Sequence, residues 1–136
     1  MSKELEEGNT LELDFSKLTS IAEKGIKAIV AIAQHVETHQ VLITGYATKE
    51  ALEHTLKTGK ATFFSTSRNE LWVKGATSGD YLEVKEVLVN CEQNSILYRV
   101  KPVGAGACHT KNSAGKSRQS CYYRRIHEQG LQFVER

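Results

Sequence analysis

The sequence predicts a small α+β domain, mostly antiparallel strand with one main helix. Three observations carry that reading. Short runs rich in β-branched and aromatic residues recur along the chain, one of them alternating apolar with charged positions. One segment alone combines a helical period with a cap residue at each end. The chain has 136 residues, enough for a single domain that buries roughly two-thirds of its unfolded surface without added staples.

In chain order, residues 1–19 read as a loose leader with a short amphipathic piece, LDFSKL, and residues 20–136 as the domain proper. KAIVAIAQH (27–35) is apolar and β-branched, which predicts a buried strand; VETHQ is a polar turn, and VLITGY (41–46) completes a hairpin. TKEALEHTLKTG (48–59) predicts the helix: Thr48 caps its start, Gly59 ends it, and Ala51, Leu52, Leu56 and Thr55 supply its inner face. Strands follow at ATFFSTS, ELWVKG, YLEVKEVLVNCE and SILYRVKPV, with Leu82, Val84, Val87 and Val89 as the inward side of a half-buried strand. Pro102 falls at a strand end, where its missing donor is harmless. A long loop without apolar period, 104–119, precedes two short closing strands, CYYRRI and LQFVER.

Composition narrows the class. A net charge of +2 argues against nucleic acid or an anionic membrane as partner. No apolar run is long enough to span a bilayer, and the acidic N-terminus lacks a signal-peptide core, so the expected compartment is the cytoplasm. Thiols stay reduced there, and an odd count of three points to ligands, catalytic groups or buried apolar residues rather than disulfides.

Two constellations carry chemistry. The first is the cysteine set. Cys91, beside apolar VLV, fits a small buried residue equally well. Cys108 and Cys121 stand among lysine, arginine, asparagine and serine with nothing apolar to bury them, so something else should hold the thiols. Zinc binds thiolates tetrahedrally, and three thiols without a CxxC pair leave the open position of a catalytic site. His109 is either a further ligand or a proton carrier. The second constellation is STSRNELWVKGATSG (65–79), where Ser65, Arg68, Trp72, Lys74, Thr77 and Ser78 suit a phosphate-bearing ligand, although a solvated hairpin rim accounts for the same composition. Other signals fall away. AGKS lacks the upstream glycine of a phosphate loop, since Thr110 stands there. His35 and His39 lie in a turn rather than on a helix. Trp72 and the tyrosines read as core or interface rather than a base-stacking platform.

Taken together, VLITGYATKEALEHTLKTGKATFFSTSRNELWVKGATSG, NCEQN, CHT and SCYYR resemble the phosphoribosyl-AMP cyclohydrolase family of histidine biosynthesis, in its monofunctional form, over about residues 28–123. The resemblance implies that a zinc-activated water attacks C6 of the adenine ring of phosphoribosyl-AMP and opens the N1–C6 bond. It implies an intertwined homodimer with shared sites, with Cys91 from one chain meeting Cys108 and Cys121 of the other. It also implies His109 as the proton-transfer group and residues 65–78 facing the nucleotide substrate. The family's acidic DCDxD segment, which holds magnesium, is here Asn90-Cys91-Glu92-Gln93-Asn94. Two carboxylates have become amides, so magnesium should bind more weakly, through Asn90, Glu92 and Asn94. Asp80 is a candidate replacement carboxylate if the fold brings it near Glu92. The loop NSAGKSRQ is longer than is usual in the family. Two other readings stand beside this one: a divergent relative acting on another purine nucleotide or cyclic amidine, and a non-catalytic zinc-stabilised dimer.

Overall fold

The computed structural model describes residues 3–135. Met1, Ser2 and Arg136, which belong to the leader and the last predicted strand, lie outside the described residues. The architecture is α+β. A four-stranded sheet runs in the order β2-β1-β6-β5, where β1 is Ile29–His35, β2 Val41–Ala47, β5 Leu82–Val89 and β6 Ser95–Pro102. Its β1–β6 pair is parallel; its other pairs are antiparallel. Two hairpins stand apart from it: β3 (Thr62–Ser65) with β4 (Glu70–Val73), and β7 (Arg124–His127) with β8 (Gly130–Phe133). Among the described residues no helix is long and apolar enough to cross a membrane.

The predicted helix is α3, Lys49–Thr58. The Thr48 hydroxyl accepts from the Ala51 N–H, and Gly59 closes the helix at φ 76°, a left-handed conformation that glycine adopts without penalty. Its inner face departs from expectation at one position: Leu56 is 65% exposed, while Ala51 and Thr55 are buried as expected. Thr55 can be buried because its Oγ1 accepts the Thr62 N–H at 2.9 Å, which fixes β3 on the helix. Tyr98 of β6 donates its hydroxyl to the Thr62 carbonyl at 2.9 Å, tying the same point to the sheet. Phe63 lies between the Trp72 ring at 5.5 Å and the Tyr98 ring at 5.6 Å. Gly45 of β2 makes room for it, since a Cβ there would sit 2.9 Å from the Phe63 ring.

In β5 the register shifts between Val84 and Glu86. That bulge returns Val87 to the core side after Val84, while Val89 is left 58% exposed. The segment expected as a loose leader, 1–19, carries α1 (Lys3–Glu7) and the start of α2 (Lys17–Glu23). It is pinned at several points. Arg124 donates to the Leu5 and Gly8 carbonyls at 2.9 Å each, Tyr123 donates to the Glu6 carbonyl, and Thr10 bridges Gly130.

Candidate active site

The β3–β4 hairpin and the turn after it form one wall of the site. Ser65 Oγ accepts from the Arg68 backbone N–H at 3.3 Å and from its Nε at 3.4 Å, so Ser65 orients Arg68 rather than facing the cavity itself. Past β4 the chain doubles back at Gly75, φ 90°, where a Cβ would lie 2.3 Å from the Asp80 backbone. Lys74 is 4% exposed, and its Nζ reaches the Asp80 carbonyl at 3.4 Å. Burial pushes its pKa below the ordinary 10.5; the Asp80 carboxylate and the thiols of Cys121 and Cys108 push the other way.

The other wall is the loop between β6 and β7. It is not structureless. Ala107 and Cys108 donate to the Gln119 and Arg118 carbonyls, and Arg118 donates to the Thr110 carbonyl, each at 3.0 Å. Within the loop a local turn is closed by Asn112, whose Oδ1 accepts from the Ala114 and Lys116 N–H groups. The end of the loop is fixed to β2: Ser120 Oγ donates to the Val41 carbonyl and the Cys121 N–H to the Leu42 carbonyl, both at 2.7 Å.

These ties bury what composition suggested would be unburied. Cys108 is 3% exposed and Cys121 packs against the core. The polar residues of the loop do the covering. Arg118, itself 4% exposed, lies 4.1 Å over the Tyr123 ring and donates to Thr110 Oγ1 at 2.8 Å; that hydroxyl lies 3.0 Å from Cys108 Sγ. The two thiols are neighbours. Hydrogen bonding from the Cys121 thiol, and then from Thr110, favours the Cys108 thiolate and lowers its pKa against the opposing effect of burial; Cys121 is pushed up because that same hydrogen bond holds its proton, with burial and the neighbouring thiolate acting in the same direction.

The two walls enclose a cavity of about 380 Å³. Arg68, Trp72, Lys74, Thr77 and Ser78 line it from one side; Cys108, His109, Lys111 and Ser117 line it from the other. Two constellations some 30 residues apart in sequence thus share one cleft. Asp80 joins the walls. Its Oδ1 accepts the Ala105 N–H and its Oδ2 the Ser117 hydroxyl, both at 3.1 Å. Asp80 does not meet Glu92 within the chain. They flank opposite ends of β5, whose eight residues span about 26 Å.

Cys91 is exposed in the β5–β6 turn and is not among the cavity's lining residues. Among the described residues no three His, Cys, Asp or Glu side chains of one chain converge on a point suited to a metal. The turn is closed by its own amides. Asn90 Oδ1 accepts from Asn94 and Ser95 at 3.0 and 2.9 Å, Asn90 Nδ2 donates to Asn94 Oδ1 at 2.6 Å, and Asn94 Nδ2 donates to Glu92 at 3.4 Å. Sequence reasoning missed Thr110 and Arg118 behind Cys108. It also missed Glu6, whose carboxylate meets His109 Nε2 at 2.5 Å.

Comparison with known proteins settles the family. A sequence model of phosphoribosyl-AMP cyclohydrolase matches residues 43–123. The chain belongs to that family. The match holds the β3–β4 hairpin, the NCEQN turn and the cysteine loop, and leaves α1, α2 and the β7–β8 hairpin outside it. The phosphoribosyl-AMP cyclohydrolase of Desulfatibacillum aliphaticivorans is 40% identical over 124 residues, covering 91% of this chain and 89% of that protein. That of Hyphomonas neptunium is 48% identical over 106 residues, covering 78% and 76%. The histidine biosynthesis bifunctional protein HisIE of Thermus thermophilus is 45% identical over 106 residues, which cover 78% of this chain and 45% of that longer protein. The family is one of hydrolases, and membership makes this chain an enzyme of histidine biosynthesis.

Proposed function

We propose that this chain hydrolyses the N1–C6 bond of the adenine ring of phosphoribosyl-AMP in a site that holds zinc. The observation that carries the reading is the single cleft in which the basic, hydroxyl-rich hairpin meets Cys108 and His109, with Cys121 behind. The donor set fits zinc: two neighbouring thiols, one favoured as thiolate, set beside a buried ammonium. The family resemblance implies that the third thiolate comes from Cys91 of the partner subunit in a homodimer, and the exposure of Cys91 on its turn supports that reading. When bound there, zinc supplies Lewis acidity that brings the pKa of water to near neutrality.

The chain's own residues do the rest. Lys74, Arg68 and Lys111 bind substrate phosphate, with Thr77 and Ser78 donating hydroxyl hydrogen bonds and Trp72 presenting a ring face. Water adds its oxygen to C6, the N1–C6 bond breaks, and N1 gains a proton; the His109 imidazole, lining the cleft beside Cys108, carries it. The NCEQN turn offers magnesium one carboxylate and amide oxygens already in use, so any magnesium bound there is weakly held. That turn is also what favours a second reading, a relative acting on another purine nucleotide or cyclic amidine. Replacing Cys108 by Ser tests the zinc role: turnover and zinc content should both collapse in a chain that still folds, and full activity in that variant would refute it.

A further inference from the structure

We propose that Glu6 is a positioning residue for His109, and that the N-terminal segment is the strap that delivers its carboxylate to the catalytic cleft. The proposal rests on the reading of His109 as the proton carrier. Glu6 Oε2 lies 2.5 Å from His109 Nε2 across 103 residues of sequence. Glu6 lies outside the family match, which begins at residue 43.

His109 is 64% exposed, but its partner is held from the other side. The Glu6 side chain is 22% exposed, and its backbone is held before the carboxylate acts. Tyr123 donates to the Glu6 carbonyl, Arg124 holds the carbonyls of Leu5 and Gly8, and the Leu131 N–H donates to the Asn9 carbonyl at 3.0 Å. Most of the ordering entropy that weakens exposed ion pairs is therefore lost in docking the strap, not in forming the pair. A carboxylate on Nε2 keeps the proton of the neutral imidazole on that atom and fixes the ring plane. Nδ1, which makes no hydrogen bond among the described residues, is left with the lone pair that takes or returns the substrate proton.

The test compares Glu6→Ala and Glu6→Gln with the parent as zinc-loaded enzyme at one pH, reading kcat, KM and the His109 ring nitrogens by ¹⁵N NMR, with assignment from His109→Ala. The parent should show the Nε2–H tautomer. Glu6→Ala should show mixed tautomers and a kcat lower by about 10- to 100-fold at little changed KM, the scale known for carboxylates that orient metal-ligating histidines and taken here for a proton-carrying one. Glu6→Gln keeps a neutral acceptor and should recover part of both. Glu4→Ala on the same helix should change neither. In a His109→Ala background, Glu6→Ala should add no further loss. A parental tautomer and kcat in Glu6→Ala, alongside a strong loss in His109→Ala, would overturn the positioning role alone. Full kcat in His109→Ala would overturn the proton-transfer reading and this role with it. Equal losses in Glu6→Ala and Glu6→Gln with the tautomer unchanged would show a strap that acts only by packing, against the proposal.

Discussion

Replacing Asp80 by Ala should loosen both walls of the cleft at once. Asp80 accepts two hydrogen bonds, from the Ala105 N–H and the Ser117 hydroxyl, and so links the turn after β4 to the cysteine loop. Hydrogen bonds to a charged acceptor contribute about 1.5–3 kcal/mol each when buried. Asp80 is half-buried, so the low end applies, and the pair amounts to about 3 kcal/mol. With an unfolding entropy near 0.3 kcal/mol/K for a chain of this length, the variant should melt roughly 10 °C lower. Asp80→Asn retains an acceptor for Ala105 and should lose about half as much. The assay is thermal and urea unfolding followed by circular dichroism, at fixed zinc and protein concentration. A magnesium titration of activity on the same samples separates a staple from a ligand. The staple predicts an unchanged magnesium dependence in whatever activity remains. A loss below about 0.5 kcal/mol in Asp80→Ala would refute the reasoning, as would selective loss of the magnesium response with stability intact.

Two further changes probe the site and its support. Lys74 carries a folded-state pKa below its unfolded value, so between the two the unfolded chain binds more protons and stability rises with pH toward 10.5. Lys74→Met should flatten that rise in urea unfolding and should lower kcat/KM by about 10- to 100-fold through loss of a phosphate contact; an unchanged alkaline slope would contradict the burial argument. Gly45→Ala should cost about 1–3 kcal/mol, because the new Cβ would meet the Phe63 ring at 2.9 Å and displace the hairpin that carries Trp72 and Lys74; calorimetry showing parental stability would mean that the ring has room to move.

Local signals read correctly from the sequence because they are set by local physics. The β1–β2 hairpin follows from two apolar runs and a polar turn, and α3 from Thr48 and Gly59. The failures are tertiary. The helical period puts both Thr55 and Leu56 on the inner face, but only Thr55, which holds the Thr62 backbone N–H, is buried there. The loop around Cys108 and Cys121 reads as too polar to bury a thiol, yet Arg118, itself buried, sits over the Tyr123 ring and holds Thr110 against Cys108. Asp80 and Glu92 could have been separated by counting the residues of β5 between them. No local pattern leads from Glu6 to His109, since the link exists only once Tyr123 and Arg124 have docked the strap. The cleft itself was half legible: its residue types stood out, and their convergence did not.

The most direct test is steady-state hydrolysis of phosphoribosyl-AMP by the purified protein, with zinc determined on the same sample and adenosine monophosphate as the competing substrate. The account predicts turnover of phosphoribosyl-AMP in proportion to zinc content, loss on chelation, recovery on adding zinc, and none with adenosine monophosphate. Full zinc occupancy without turnover of phosphoribosyl-AMP, with or without added magnesium, would contradict it.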